Sequence, residues 1–416
     1  MSLRRSFWCL TALTLQMLQT LCGAHGTFGP TAQKDFARPG PGEASRHLNT
    51  SALNTLLAFE PYQALASAEP EAPQQPNILF SPLGLASAAA LLSRVSGPER
   101  RSQALTLLGL AAGSPEQSVE DTLSALTNLL HNLTLPEEGE GAGAWGGAGD
   151  NGSSTDAAEA ATHAGSQLKV WSRLQADGKQ ADHQSFPSGN QRGGSSNASD
   201  TDSQVSDKLN LRSYAYFKGR LPFERRHTVR RSFQLNATAS VEVAMMFRDD
   251  SSDVRMLYDT NCSATVVQLA QSERLAWLLL LPRAELQSLE GCLYEGRMRF
   301  WLSNLKPGHA EILFPKLQLR RSYNLEKLLR SSGASSLFSD LPGQSEEKTP
   351  RLQEASHEVM LEVEEAKLEE AGSYDVPLDF SMPPRITFNR PFILMVYDRV
   401  TGLVLLLGRI SDPAHL

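Results

Sequence analysis

Cysteine is scarce in this chain: four in 416 residues, two of which, Cys9 and Cys22, fall within the N-terminal leader. A small scaffold stapled by disulfides is therefore excluded, and the fold must rest on an apolar core. After the leader no apolar run reaches the ~20 residues that a membrane span requires, so no membrane partner is expected. Basic residues are not in excess. The chain has 39 Lys and Arg against 46 Asp and Glu, a net charge of -7, which argues against nucleic acid as a partner. Catalytic signatures are missing too: there is no H-E-x-x-H, C-x-x-C, P-loop or G-x-S-x-G pattern. No metal, cofactor or enzymatic centre is expected. Residues 141–146 formally match G-x-G-x-x-G, but no strand precedes them and their surroundings are low-complexity, so they carry no dinucleotide reading.

What is present begins with an address. Arg4 and Arg5 precede an apolar run over 7–21, which ends in the small-residue stretch Cys22-Gly23-Ala24. A basic start, a short apolar middle and a small-residue exit read as a secretory signal peptide over 1–24. The protein is expected in the extracellular space. Six Asn-X-Ser/Thr sequons, at Asn49, Asn132, Asn151, Asn197, Asn236 and Asn261, are then candidate glycan sites and surface positions. The mature chain keeps Cys262 and Cys292, either bridged or as two buried thiols.

Composition divides the remainder. Residues 25–76 are rich in Pro, Ala and polar residues and read as a loosely ordered leader, with a short helical candidate at 50–59. Helical spacing marks 85–95, 103–110 and 119–133. Residues 136–207 are dominated by Gly, Ser, Ala, Asn and Asp, with too little apolar area to offset their ordering entropy. An island at 168–174 reads as a helical turn or two. From 208 onward, strands are expected at 210–217, 240–246, 264–269, 276–281, 310–314, 385–387, 392–397 and 404–409, with a helix at 324–330. Early helices followed by a strand-rich block indicate an α+β fold with large antiparallel sheets.

Three polar features have bland readings. His357 lies among Val359, Leu361 and Val363 and reads as a hydrogen-bonded core histidine. The acidic run Glu362, Glu364, Glu365, Glu369 and Glu370 reads as a solvated, loop-like stretch. Arg225, Arg226, Arg230 and Arg231 form a basic cluster, read as solvated surface with a weaker possibility of binding sulfated polysaccharide.

Several motifs then combine. Phe80-Ser81-Pro82 leads into an Ala/Leu helix; Tyr216-Phe217-Lys218-Gly219, Val243-Ala244-Met245-Met246 and Phe314-Pro315-Lys316-Leu317 follow in order. Phe388-Asn389-Arg390-Pro391-Phe392 and Leu407-Gly408-Arg409 close the chain. Together these resemble the serpin family over 77–133 and 207–416. The resemblance implies a serpin domain over 77–416, interrupted at 136–207: helices around three sheets, with an exposed reactive loop before the C-terminal strands. Val396-Tyr397-Asp398 with Leu407-Gly408-Arg409 most resembles the angiotensinogen branch, with features of the C1 inhibitor, antiplasmin and pigment-epithelium-derived-factor branches. No hormone-like peptide follows the signal.

In an inhibitory serpin the loop is cleaved as bait and inserts as a new strand into the main sheet. The family's hinge then tends to read Gly-Thr-Glu-Ala-Ala. Here it reads Lys367-Leu368-Glu369-Glu370-Ala371, and charges there must be desolvated on insertion. Gly84 and Ser213 stand where the family usually has Ser and Asn. The resemblance places the P1–P1′ bond at Phe380-Ser381, suiting a chymotrypsin-like serine protease. The expectation is a secreted, glycosylated, non-inhibitory serpin that binds an extracellular partner; the alternative is a working inhibitor with Phe380 as P1.

Overall fold

A computed structural model describes residues 48–68, 75–134, 167–176, 183–187, 208–221, 223–248, 254–334, 337, 351–365 and 383–415. The signal reading at 1–24 lies outside the described residues.

The first helix, α1, is continuous over Thr50–Asn54, a π-helical turn Thr55–Phe59, and Glu60–Ala66. It belongs to the folded body, which corrects the expectation of a loose leader reaching residue 76. The physical reason is burial: Leu53, Leu57 and Tyr62 are almost inaccessible. The buried Asn54 ties the helix to the C-terminal strands, donating to Gly402 O at 2.9 Å and accepting from Val404 N at 2.9 Å. Strand β1 (Ile78–Phe80) and helix α2 (Pro82–Val95) follow, then α3 (Pro98–Leu107) and α4 (Glu116–Thr134). Helix α2 starts at Ser81, whose hydroxyl accepts from Gly84 N, with Pro82 at the first helical position. Its Ala-rich sequence lets it lie buried from Pro82 to Ser93.

Strands β2 (Gln167–Ala176) and β3 (His183–Phe186) come next, where low complexity left only a helical island expected. Residues 168–174 are a strand, not a helix. Leu168, Val170, Ser172 and Leu174 are buried while Lys169, Trp171 and Arg173 are exposed, which is a period of two. The chain continues through β4 (Lys208–Leu221), β5 (Glu224–Gln234), β6 (Ser240–Arg248), β7 (Val254–Asp259), β8 (Ala264–Ala270) and β9 (Leu275–Pro282). Two short helices, α5 (Leu286–Glu290) and α6 (Glu295–Asn304), precede β10 (Lys306–Gly308), β11 (Glu311–Pro315) and β12 (Leu317–Asn324). Helix α7 (Leu325–Leu329) and the long β13 (Arg351–Glu365) lead to β14 (Arg385–Thr387), β15 (Phe392–Asp398) and β16 (Val404–Ile410).

These strands form three sheets, as an α+β fold requires. The orders are β1-β16-β15-β9-β8-β7-β10, β14-β11-β6-β5, and β12-β13-β4-β2-β3. Strands β15 and β16 are buried at every residue, so 392–396 and 403–407 read as unbroken apolar runs. Gly408 is required there because a Cβ would stand 2.8 Å from Ile78 O of the neighbouring strand. Beside them Phe314, Phe388 and Phe392 pack edge to face, with centroids 5.2–5.4 Å apart.

Candidate functional site

The five-stranded sheet contains one parallel pair, β13 with β4, from Arg351↔Lys208 to Glu365↔Leu221 with one register shift between Leu352 and Glu354. Strand β13 is antiparallel to β12, and β4 is antiparallel to β2. A strand inserted between β4 and β13 and running against both would make every neighbour antiparallel. The segment able to supply it leaves β13 at Glu365 and re-enters the described chain at Pro383, ahead of β14 in another sheet. Lys367, Leu368, Glu369, Glu370, Phe380 and Ser381 all fall in that interval, outside the described residues.

The acidic run is not a loop where it is described. Glu362, Glu364 and Glu365 lie on β13, and only Glu369 and Glu370 fall beyond it. Strand alternation turns Ala355, His357, Val359, Leu361 and Val363 inward and Glu354, Glu358, Glu362 and Glu364 outward. Glu365, expected to be solvated, has a side chain only 5% exposed and pairs with Lys316 Nζ at 2.7 Å. Thr228 of β5 donates to the same carboxylate. Burial pushes this carboxyl up, but the bonds from Lys316 and Thr228 outweigh it and hold it below the usual range.

Beneath the seam the inward face carries a polar cluster. Ser81 N–H donates to His357 Nε2 at 3.0 Å, and His357 Nδ1 lies 3.0 Å from Ser213 Oγ. Ser213 Oγ in turn donates to Gly84 O at 2.9 Å, so the imidazole must carry its proton on Nδ1. Ser81 Oγ donates to Leu405 O at 2.7 Å. The cluster therefore joins α2, β4, β13 and β16. His357 is completely buried, and desolvation pushes its pKa down to about 3. It is a neutral core residue holding the seam, with every polar atom of the ring used. Gly84 and Ser213 prove to be a matched pair. A Cβ at position 84 would approach His357 Cε1 to 2.7 Å, and the short serine fills the remaining space.

On the outward side the seam is clasped by charge. Lys218 of β4 lies 3.5 Å from Glu362 and 3.4 Å from Glu364 of β13. Tyr216 Oη donates to Glu362 at 3.1 Å; burial first, then this bond to a carboxylate, pushes the phenol up to about 12.

The other expected positions are scattered. Arg230 and Arg231 are exposed on β5, an edge strand; Arg225 and Arg226 share that strand, but their side chains lie outside the described residues. Asn49, Asn132, Asn236 and Asn261 are all exposed, whereas Asn151 and Asn197 lie outside the described residues. Cys262 and Cys292 are joined, with Cα atoms 6.0 Å apart, linking the turn after β7 to the α5–α6 connection. A groove of about 770 Å³ lies between α1 and that connection, lined by Phe59, Glu60, Gln63, Leu293, Tyr294 and others. Among the described residues no helix is long and apolar enough to cross a membrane. Sequence reasoning missed Lys316, Thr228 and Lys218 as partners of the acidic run. Their signal was positional: Lys316 links β11 to β12, and Lys218 faces outward on β4.

The three sheets, the parallel seam and the polar cluster beneath it define the class. The family model described as "Serpin (serine protease inhibitor)" matches residues 197–413, and the chain belongs to the serpin family. Alpha-1-antiproteinase 2 of Equus caballus is 33% identical over 215 residues, which is 50% of this chain and 50% of that protein. Over that stretch the chain spans half the length of its relative. Serpin A11 of Rattus norvegicus is 27% identical over 449 aligned positions, covering 98% of each. Among solved structures, human thyroxine-binding globulin is similar with a TM-score of 0.61 at 19% identity, over 88% of this chain and 99% of that one.

Proposed function

We propose that this serpin is a secreted glycoprotein of the non-inhibitory kind, binding or carrying an extracellular partner, with an angiotensinogen-like carrier or precursor role as its finer form. The observation that carries the reading is the hinge that leaves the β4–β13 seam just after Glu365, whose carboxylate Lys316 and Thr228 hold. Lys367, Leu368 and Glu370 follow at once, where an inserting hinge favours small uncharged residues. Thyroxine-binding globulin, by its name, binds thyroxine, so the fold also serves carriage. The exposed Asn49, Asn132, Asn236 and Asn261 suit glycan attachment on a secreted chain.

The second reading is a serine-protease inhibitor with Phe380 as P1. It is favoured by the relatives' names, which include antiproteinases and a plasma serine protease inhibitor. Incubation with chymotrypsin-like proteases followed by denaturing electrophoresis separates the two. Cleavage within 366–382 without a covalent complex is expected. A complex that survives denaturation would overturn the first reading in favour of the second.

A further inference from the structure

Among the four described sequons, Asn261-Cys262-Ser263 alone carries a cysteine at its middle position, and that cysteine is bridged to Cys292. The turn holds each of the three residues. Asp259 Oδ1 accepts from Asn261 N at 3.0 Å and from Cys262 N at 3.2 Å. Ser263 O accepts from Arg283 N at 2.6 Å. Ser263 itself sits at φ 45°, a left-handed conformation that a serine keeps only where its surroundings impose it. Cys262 is 2% exposed, while Asn261 stays at the surface.

What fixes this turn comes later in the chain. Asp259 is bound by Arg297 and by Trp301 Nε1, each at 2.6 Å and both from α6, and Cys262 by a partner 30 residues on. Asn49 and Asn236 sit instead in turns made with their own next few residues, Ala52 for the one and Thr238 and Ala239 for the other. During synthesis the Asn261 sequon is therefore complete before the groups that confine it exist. At about 5–20 residues per second the interval to Cys292 is ~2–6 s. Disulfide formation begins on the scale of seconds, so bridge closure and glycan transfer overlap in time.

The two reactions need the turn in different states. A transferase that reads Asn-x-Ser must hold the carboxamide and the hydroxyl together in its cleft, with the backbone between them released from the turn. Transfer forms a C–N bond from Asn261 Nδ2 to the anomeric carbon of a lipid-diphosphate-linked oligosaccharide. The anomeric C–O bond breaks, and the lipid diphosphate leaves with the amide proton. Bridge closure passes two electrons and two protons from the thiols to the disulfide of a thiol oxidoreductase. It leaves a second segment of chain attached at the middle residue of the sequon, where it obstructs such a cleft. On the reading of the chain as a secreted glycoprotein, we propose that closure of the Cys262–Cys292 bridge ends glycan transfer at Asn261. This sequon is then filled according to how long its cysteine stays reduced. The opposite order is harmless, because Asn261 is exposed in the bridged fold and a glycan attached beforehand projects into solvent. Secreted chains are a mixture, all bridged, with Asn261 filled in some and empty in others.

Site occupancy, measured by peptide mass spectrometry on the whole cellular pool of the full chain, tests this without requiring any variant to fold. The wild type should be only partly filled at Asn261. Cys292→Ser leaves the sequon unaltered and should raise the ratio of filled to empty Asn261 several-fold, with Asn49, Asn132 and Asn236 unchanged. A brief pulse of reductant to cells making the wild type should do the same, and should add nothing in the variant. Several results would each overturn the proposal alone: a wild type as fully filled at Asn261 as at the other three, an equal ratio in wild type and variant, a rise shared by all four sequons, or a reductant effect as large in the variant. Glycans absent from all four would overturn the secreted-glycoprotein reading and the proposal with it.

Discussion

Acid should begin to destabilise this protein by way of His357 before its carboxylates are reached. The imidazole is fully buried, and desolvation takes its pKa from 6.5 to about 3. Ser81, Gly84, Ser213 and Leu405 supply the polar contacts around it, and none carries a charge that could hold a proton on the ring. The folded chain therefore keeps the ring neutral over a range where the unfolded chain protonates it. Stability is intact above about pH 6.5 and falls as pH drops from there towards about 3, by ~1.4 kcal/mol for each pH unit once well inside the window. Between about pH 7.5 and 5 the loss from this one group is ~2 kcal/mol, and over the whole window about 4–5 kcal/mol.

The perturbation that isolates this effect is His357→Gln, whose amide oxygen can still accept from Ser81 N–H but does not titrate. Urea midpoints measured from about pH 7.5 to 5 should fall in the wild type and change less in the variant, by a difference worth ~2 kcal/mol. The variant starts from a lower stability, because Ser213 loses its partner; the readout is the slope, not the intercept. Asp259 and Glu365, both held below the carboxylate range, titrate lower and are present in both proteins. Parallel pH profiles for the two proteins would refute the reasoning.

Three other perturbations read other joints. Gly408→Ala pushes a methyl to 2.8 Å from Ile78 O, a backbone atom that cannot swing away, and should cost about 1–3 kcal/mol in thermal or urea unfolding. Lys316→Ala leaves the 5%-exposed Glu365 with Thr228 alone; since Lys316 is itself 38% exposed, the expected loss is discounted to on the order of 1–3 kcal/mol, checked by differential scanning calorimetry. Opening the Cys262–Cys292 bridge by Cys→Ser at both positions releases a loop closed over 30 residues. The unfolding free energy should fall by about 3–4 kcal/mol in the chain-entropy picture, lowering the midpoint; an unchanged midpoint would mean the bridge constrains nothing.

Much of the fold was legible because its signals were local. The runs 275–281, 392–396 and 403–407 that lie in or lead into β9, β15 and β16 are apolar throughout, as strands buried on both faces need. Helix α2 announced itself by Ser81-Pro82 before an Ala/Leu run. Errors arose where a signal was short or carried by charge. In 168–174 the alternation spans only four buried positions, too few to stand out against low-complexity flanks, yet β2 is fixed by pairing with β4 along its length. The family pattern over Leu352, Ala355, His357, Leu361, Val363 and Glu365 marks strand β13, but its glutamates hid it from composition. Their outward placement satisfies strand alternation, but composition alone reads an acidic stretch as solvated. Helix α1 was cut short because its second half begins Glu60-Pro61, which ordinarily stops a helix; here Pro61 occupies the first turn of a new segment after the π-helical turn. At the site, sequence pointed to Gly84 and Ser213 as departures. Only the arrangement in space shows that each accommodates His357.

That distinction bears on where a barrier to strand insertion would lie. Opening the seam breaks one ladder of hydrogen bonds between β4 and β13, and an entering strand would form two. The outward clasp opposes this weakly, since partly exposed ion pairs contribute ~0–1 kcal/mol each. The polar cluster below loses its His357–Ser213 bond on opening but keeps its other contacts, because Ser81, Gly84 and Leu405 lie outside both strands. The hinge is different. In an inserted strand Lys367 and Glu369 would face one side and Leu368 and Glu370 the other. Whichever pair faces inward, at least one charge enters the core, and an unpaired buried ion costs several kcal/mol. The conclusion holds for either register, so a shift of one residue in the loop cannot evade it. The opposition therefore resides in the strand that would enter and not in the sheet that would receive it.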